Sequence, residues 1–188
     1  RLSVLNEILD AGLFSESELE QWQNRLSEEE RQIPHLALRM LFCESVMMVQ
    51  AFRDLSIKEL NYQGGDVPVA QFLIQDQTHV LACLYGVAEL LPKDYFQIED
   101  SMEQLLNALA ERKYSIYSSF LIDLKSCLRK FAYLSLKQRE TILAVAKARA
   151  WLSGRALSGY LNPLPLDPFT GRALSTEVPS EKPDAELP

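Results

Sequence analysis

The stretch "IPHLALRMLFCESVMMVQAF", residues 33–52, decides how the chain is read, because apolar side chains point in nearly every direction around a helix with only Arg39 and Glu44 to interrupt them. A helix apolar on all sides belongs in a core or in a membrane. A lipid-spanning helix needs about 20 largely uncharged residues. The two charges therefore favour a central, buried helix of a globular protein. Pro34 suits the first position of such a helix, where its missing N–H has no partner to lose. The expected start is thus Pro34.

Upstream, Leu2, Leu5, Ile8 and Leu9 form a first short stripe that Gly12 closes, and Ser15 with Glu18 makes a capping box that opens a second helix. That helix carries Leu19, Trp22 and Leu26 on a charged surface, so one narrow face turns inward. Downstream, Gly64-Gly65 and Pro68 mark a loop, and a helix follows from about Val69 to Leu91, stopped by Pro92. Met102, Leu105, Leu106 and Leu109 repeat the pattern, and Ile116, Phe120, Leu124 and Leu128 continue it. Ser135 with Gln138 reads as a second capping box, opening a last helix through Leu143 and Ala150 to Trp151. No β alternation of useful length occurs, and no pair of segments aligns at the spacing of a helical repeat. The expected fold is all-α: a helical bundle or short helical-hairpin array of about seven helices over residues 1–160, with an extended proline-rich strap over 161–188.

Composition supports one folded domain. The chain has 188 residues, 47% hydrophobic and 24% charged, enough to bury a core without staples. Cys43, Cys83 and Cys127 stand far apart inside apolar patterns, which predicts packed thiols and argues against a zinc knuckle or a redox pair. Charge is unevenly distributed. Residues 1–111 hold 7 basic and 19 acidic side chains, net −12; residues 112–172 hold 11 and 3, net +8; the last 16 add −3 to give −7. Either the halves neutralise each other on folding, or Lys125, Arg129 and Lys130, with Lys137 and Arg139 across a turn, form a basic face for an anionic partner. An acidic protein or an anionic membrane surface fits that face. Nucleic acid does not, because the nearby aromatics fall on core stripes.

Catalytic signatures are absent from the sequence: no nucleophile elbow, no phosphate loop and no dinucleotide fingerprint, with only two histidines to activate a nucleophile. Asp76, His79 and Cys83 share one helical face at i, i+3 and i+7 and are the best metal candidates; Asp76-x-x-His79 resembles half of a di-iron carboxylate motif whose other half is missing. The structural reading is preferred: His79 hydrogen-bonded, Cys83 packed. No cofactor is implied.

The end of the chain, "LNPLPLDPFTGRAL" (161–174), alternates prolines with leucines and should run extended. Asp167-Pro168 starts a turn, Phe169 supplies an apolar anchor, and Gly171 permits positive φ before Arg172. The motif Asp167, Pro168, Phe169, Thr170 and Gly171 resembles the closing motif of a group of uncharacterised exported or membrane-anchored bacterial helical proteins. The stretch "LDAGLFSESELEQWQNRL" (9–26) is similar to the start of their helical domain. Ala173 stands where that group has proline. The resemblance implies a periplasmic or membrane-anchored protein facing the periplasm, with a cytoplasmic location as the alternative, and it brings no activity. The functional expectation is a non-catalytic interaction or assembly module with a protein partner. The alternative is a metal-binding helical protein or enzyme using the Asp76, His79 and Cys83 face.

Overall fold

The computed structural model describes residues 14–54, 69–110 and 118–175. The expected first stripe at Leu2–Leu9, the Gly64-Gly65 loop, Ile116 and the tail beyond Ser175 lie outside them. The described chain is all-α, with four helices where the sequence suggested about seven: α1 (Glu16–Asp54), α2 (Val69–Leu90), α3 (Tyr95–Ala110) and α4 (Ser118–Ser153), followed by a 3₁₀ turn at Leu157–Gly159. Two of the expected boundaries are helix interior.

α1 opens where the capping box places it. Glu18 Oε2 accepts from the Ser15 N–H at 2.8 Å, and the Glu18 N–H reaches Ser15 Oγ at 3.3 Å. These bonds to Ser15 hold the Glu18 carboxyl below its usual range. The helix then runs 39 residues without a break, Pro34 included, a length of about 58 Å. Pro34 is therefore not a first residue. It removes the donor that would meet the Glu30 carbonyl, a cost of about 3 kcal/mol in an isolated helix. Packing on α4 spans the weak point.

α4 is equally continuous, and Ser135 does not cap it. Ser135 Oγ instead donates to Glu30 Oε1 at 2.8 Å, and Gln138 Nε2 donates to the Leu26 carbonyl at 3.2 Å and to Glu29 Oε2 at 3.1 Å. With Arg149 Nη1 donating to Gln23 Oε1 at 3.0 Å, these contacts show that α1 and α4 run antiparallel. What looked like a local start signal is interhelical glue.

Around the bundle, α1 packs on α2, α2 on α3, α3 on α4, and α4 closes on α1. The core lies where the four meet: Leu41, Met48 and Phe52 of α1, Val80, Cys83, Leu84 and Val87 of α2, Tyr95 and Met102 of α3, and Leu124, Leu128 and Ala132 of α4. A second buried stretch, Ile142, Leu143, Val145 and Ala146, follows along α4, and Leu19 is buried on α1. Trp22, expected inward, is 43% exposed and lies against Phe14 at 5.3 Å between ring centroids.

α4 ends at Gly154, whose φ is 66°, the left-handed residue that closes helices. The Asn162–Pro163 peptide is cis. Leu166 pairs with Ala173 in a single antiparallel bridge around a tight turn. Within it, Asp167 Oδ1 accepts from the Phe169 N–H at 2.7 Å, and the Asp167 carbonyl accepts from the Gly171 N–H at 2.8 Å. Gly171 has φ 67°, and a Cβ there would stand 2.7 Å from the Phe96 ring, so two demands fix glycine at this position.

Candidate interaction surface

The turn docks where α3 begins. The Pro168 carbonyl accepts from the Phe96 N–H at 2.8 Å, satisfying one of the donors that a helix start leaves open. Phe169 packs on the core with its ring 5.4 Å from that of Tyr95. Arg139 then ties three elements together: Nε donates to Glu30 Oε1 on α1, Nη2 to Asp94 Oδ1 before α3, and Nη1 to the Leu166 carbonyl, each at 2.8 Å. Burial works against its charge, and the bonds to Asp94 and Glu30 outweigh burial, so the guanidinium stays protonated. A second group, nearer the start of α1, joins Arg149 to Gln23 and Glu20, with the guanidinium 4.7 Å above the Tyr160 ring and the Tyr160 hydroxyl donating to Glu16. No sequence signal announced either group, because the α1 and α4 partners are more than a hundred residues apart.

The five residues expected to form a basic face are divided by these bonds. All lie on α4 with no turn between them. Arg139 is spent inside the molecule, Lys137 pairs with Glu140 at 2.8 Å and lies over the Tyr133 ring, and Lys125 reaches Glu103 at 3.5 Å. Arg129 and Lys130 are exposed, but adjacent residues point about 100° apart on a helix. The acidic first part of the chain and the basic second part meet chiefly across α1 and α4.

Asp76, His79 and Cys83 are on α2 as expected, but they do not converge. Asp76 and Cys83 are buried, while the His79 ring Nδ1 contacts the Gln75 carbonyl one turn back. Burial pushes the Cys83 thiol up to about 11, so near neutral pH it is neither a thiolate ligand nor a nucleophile. Among the described residues no group of three His, Cys, Asp or Glu side chains is placed to hold a metal ion. The thiols differ from the expectation of uniform burial: Cys43 is exposed and Cys127 half-buried.

A half-open cavity of about 230 Å³ lies between α1, the α2–α3 corner, α4 and Pro168. Ile33, Ala37, Ile98, Leu128 and Ala132 make its apolar wall, and Glu30, Asp94, Ser135 and Arg139 stand at its polar side. Those four are bonded to one another. The Ser135 hydroxyl donates to a carboxylate already held by a guanidinium, which is a poor base for activating it.

The largest departure from expectation is on α1. Ala37, Leu41, Met48 and Phe52 turn inward, but Leu36, Leu38, Phe42, Val46 and Met47 face out, Phe42 at 68% and Met47 at 65% exposure. The segment read as a buried central helix is buried on one side only. By length and composition α1 also passes as a membrane-crossing helix, with a mean hydropathy of 1.2 over its most apolar 18-residue window, yet its inner side is committed to the bundle. Leu38, Phe42, Ser45 and Val49 follow at 4-3-4 spacing, the seam of a helix that packs on another helix. Beside Val46 and Val49 opens a shallow groove of about 240 Å³, lined among the described residues by Ser45, Val46, Val49 and Gln50. No protein-family model, no curated protein and no solved structure matches the chain.

Proposed function

We propose that the chain is a non-catalytic interaction or assembly module of the bacterial cell envelope, offering the outer face of α1 to a protein partner. The observation that carries this reading is the exposure of Phe42 and Met47 on a helix whose other side is fixed. Ion pairs from Glu30 and Glu20 to Arg139 and Arg149 of α4, with the Gln23 amide donating to the Tyr160 carbonyl, hold α1 in place, so the apolar face cannot turn inward without breaking them. Contiguous apolar patches of several hundred Å² on a folded surface mark interaction sites. The closing Asp167–Gly171 motif, with its resemblance to exported bacterial proteins, supports the envelope as the setting. Charge supports a protein over an anionic lipid surface, because the face carries no cluster of cations.

The test is a photo-crosslinking amino acid at Phe42, introduced into cells that make the protein, with the same group at the exposed Asn24 as a control. A discrete covalent adduct from position 42 and none from position 24 is expected. No adduct from position 42 would overturn the reading.

A further inference from the structure

We propose that the outward side of α4 is a docking surface for an anionic lipid bilayer. It is a different face from the one that α1 offers to a protein, and the two stand or fall separately.

The first observation is spacing. Lys130, Tyr133, Lys137, Glu140, Lys147 and Trp151 follow one another on α4 at steps of three, four, three, seven and four, so they make one straight stripe about 31 Å long. On the opposite side Ile142, Val145 and Arg149 are buried. The stripe therefore faces away from the bundle.

The second is charge. Lys137 is neutralised by Glu140 at 2.8 Å. Lys130, Lys147 and, just past the helix end, Arg155 have no ion-pair partner among the described residues. Arg129, at the edge of the stripe, shares the surroundings of the Tyr95 hydroxyl with Glu99 and Glu103, so its charge is opposed. Three free cations on one side of a chain that carries −7 overall orient it: an anionic surface attracts this side and repels the rest.

The third is the company the cations keep. Trp151 is 74% exposed, the most exposed large apolar side chain among the described residues, and Tyr133 is exposed as well, although periodicity placed the aromatics here on core stripes. Indole and phenol rings suit the headgroup layer, and lysine stems lie along it while their ammonium groups reach phosphates. A polynucleotide fits less well, because Tyr133 and Trp151 stand about 27 Å apart, too far for neighbouring bases to stack on both. Lys130 and Lys147 are separated by about 25 Å. A fluid bilayer moves its headgroups to each of them, whereas an acidic protein has to present carboxylates at that spacing.

The experiment floats the full chain with vesicles of phosphatidylglycerol and phosphatidylethanolamine, and with vesicles of phosphatidylcholine alone. Binding to the first and none to the second is expected, with release in 1 M salt, where charges are screened within about 3 Å. Each cation near such a surface strengthens binding about fivefold, so Lys130→Glu with Lys147→Glu should weaken it at least tenfold. The same change of charge on α1, Arg25→Glu with Arg31→Glu, should weaken it less than about threefold, since those residues lie off the stripe. Circular dichroism of both double variants should match the parent. In a Trp22→Phe variant the remaining tryptophan is Trp151, and its emission should shift to shorter wavelength when the anionic vesicles are added. No binding to anionic vesicles at low salt, equal losses from the two pairs of reversals, or unshifted Trp151 emission would each overturn the proposal. Tighter binding to polyglutamate or single-stranded DNA than to the vesicles would assign the stripe to a soluble polyanion and overturn it too. None of these outcomes bears on the crosslink expected from Phe42.

Discussion

Replacing Arg139 by alanine is expected to lower stability by about 3 kcal/mol and the melting temperature by about 6–12 °C. The side chain is 17% exposed and bonds two carboxylates that are themselves only 21% and 24% exposed. Its removal leaves Glu30 and Asp94 half-buried without a counter-charge and strips the Leu166 carbonyl of a donor. Partial exposure argues for the low end of the range for broken buried pairs, since water relieves some of the penalty. Arg139→Lys should recover only part of the loss, because a point ammonium cannot serve three acceptors spread around a planar fork. A thermal melt of the two variants decides it. An alanine variant that melts with the parent would mean that the strap and α1 are held by other contacts.

Phe169→Ala is expected to cost about 2–3 kcal/mol, below the 3–5 kcal/mol of a fully buried aromatic because the ring is half-buried. The ring contributes its contact with Tyr95 and its packing on the four-helix core. Without it the strap is held to the bundle by the Pro168–Phe96 link and the Arg139–Leu166 bond, since the bonds from the Asp167, Gly171 and Leu174 amides lie within the strap itself. The loss should therefore be local before it is global: in hydrogen exchange the Phe96, Gly171 and Leu174 amides should lose protection first, while the α1 and α4 amides keep theirs. Uniform loss across the molecule would show that the strap is part of the global folding unit and not a clamp on its outside.

Helical character, the capped start at Ser15 and the stop before Pro92 were legible because each depends on residues within one turn of each other. Pro34 and the Ser135–Gln138 pair were misleading for the same reason. A proline with an acceptable φ, or a serine three residues before a glutamine, has the same local signature inside a helix as at its beginning. Only the partners of Ser135 and Gln138 on α1, more than a hundred residues away, reveal which it is. The seven expected helices become four among the described residues once these two false boundaries are removed and the first stripe, which lies outside those residues, is set aside. The same blindness hid the candidate surface. Periodicity showed that residues 33–52 are apolar all round, and burial was the economical reading; the bundle has helices to cover one side of α1, and the face bearing Phe42 is left over. In the Asp76, His79 and Cys83 trio, spacing placed the residues on one helix, but two are drawn into the core and the third turns to its own backbone.

All of this depends on α1 passing through Pro34 as one rod, since a break there would let the second half fold back and cover its outer side. Spin labels at Asn24 and Glu44, both exposed and ten residues either side of Pro34, measure that continuity directly. A narrow distance distribution near about 30 Å, the rise of 20 helical residues, is the expected result. A distribution centred below about 20 Å would show a hairpin at Pro34 and contradict both the uninterrupted helix and the exposed face built on it.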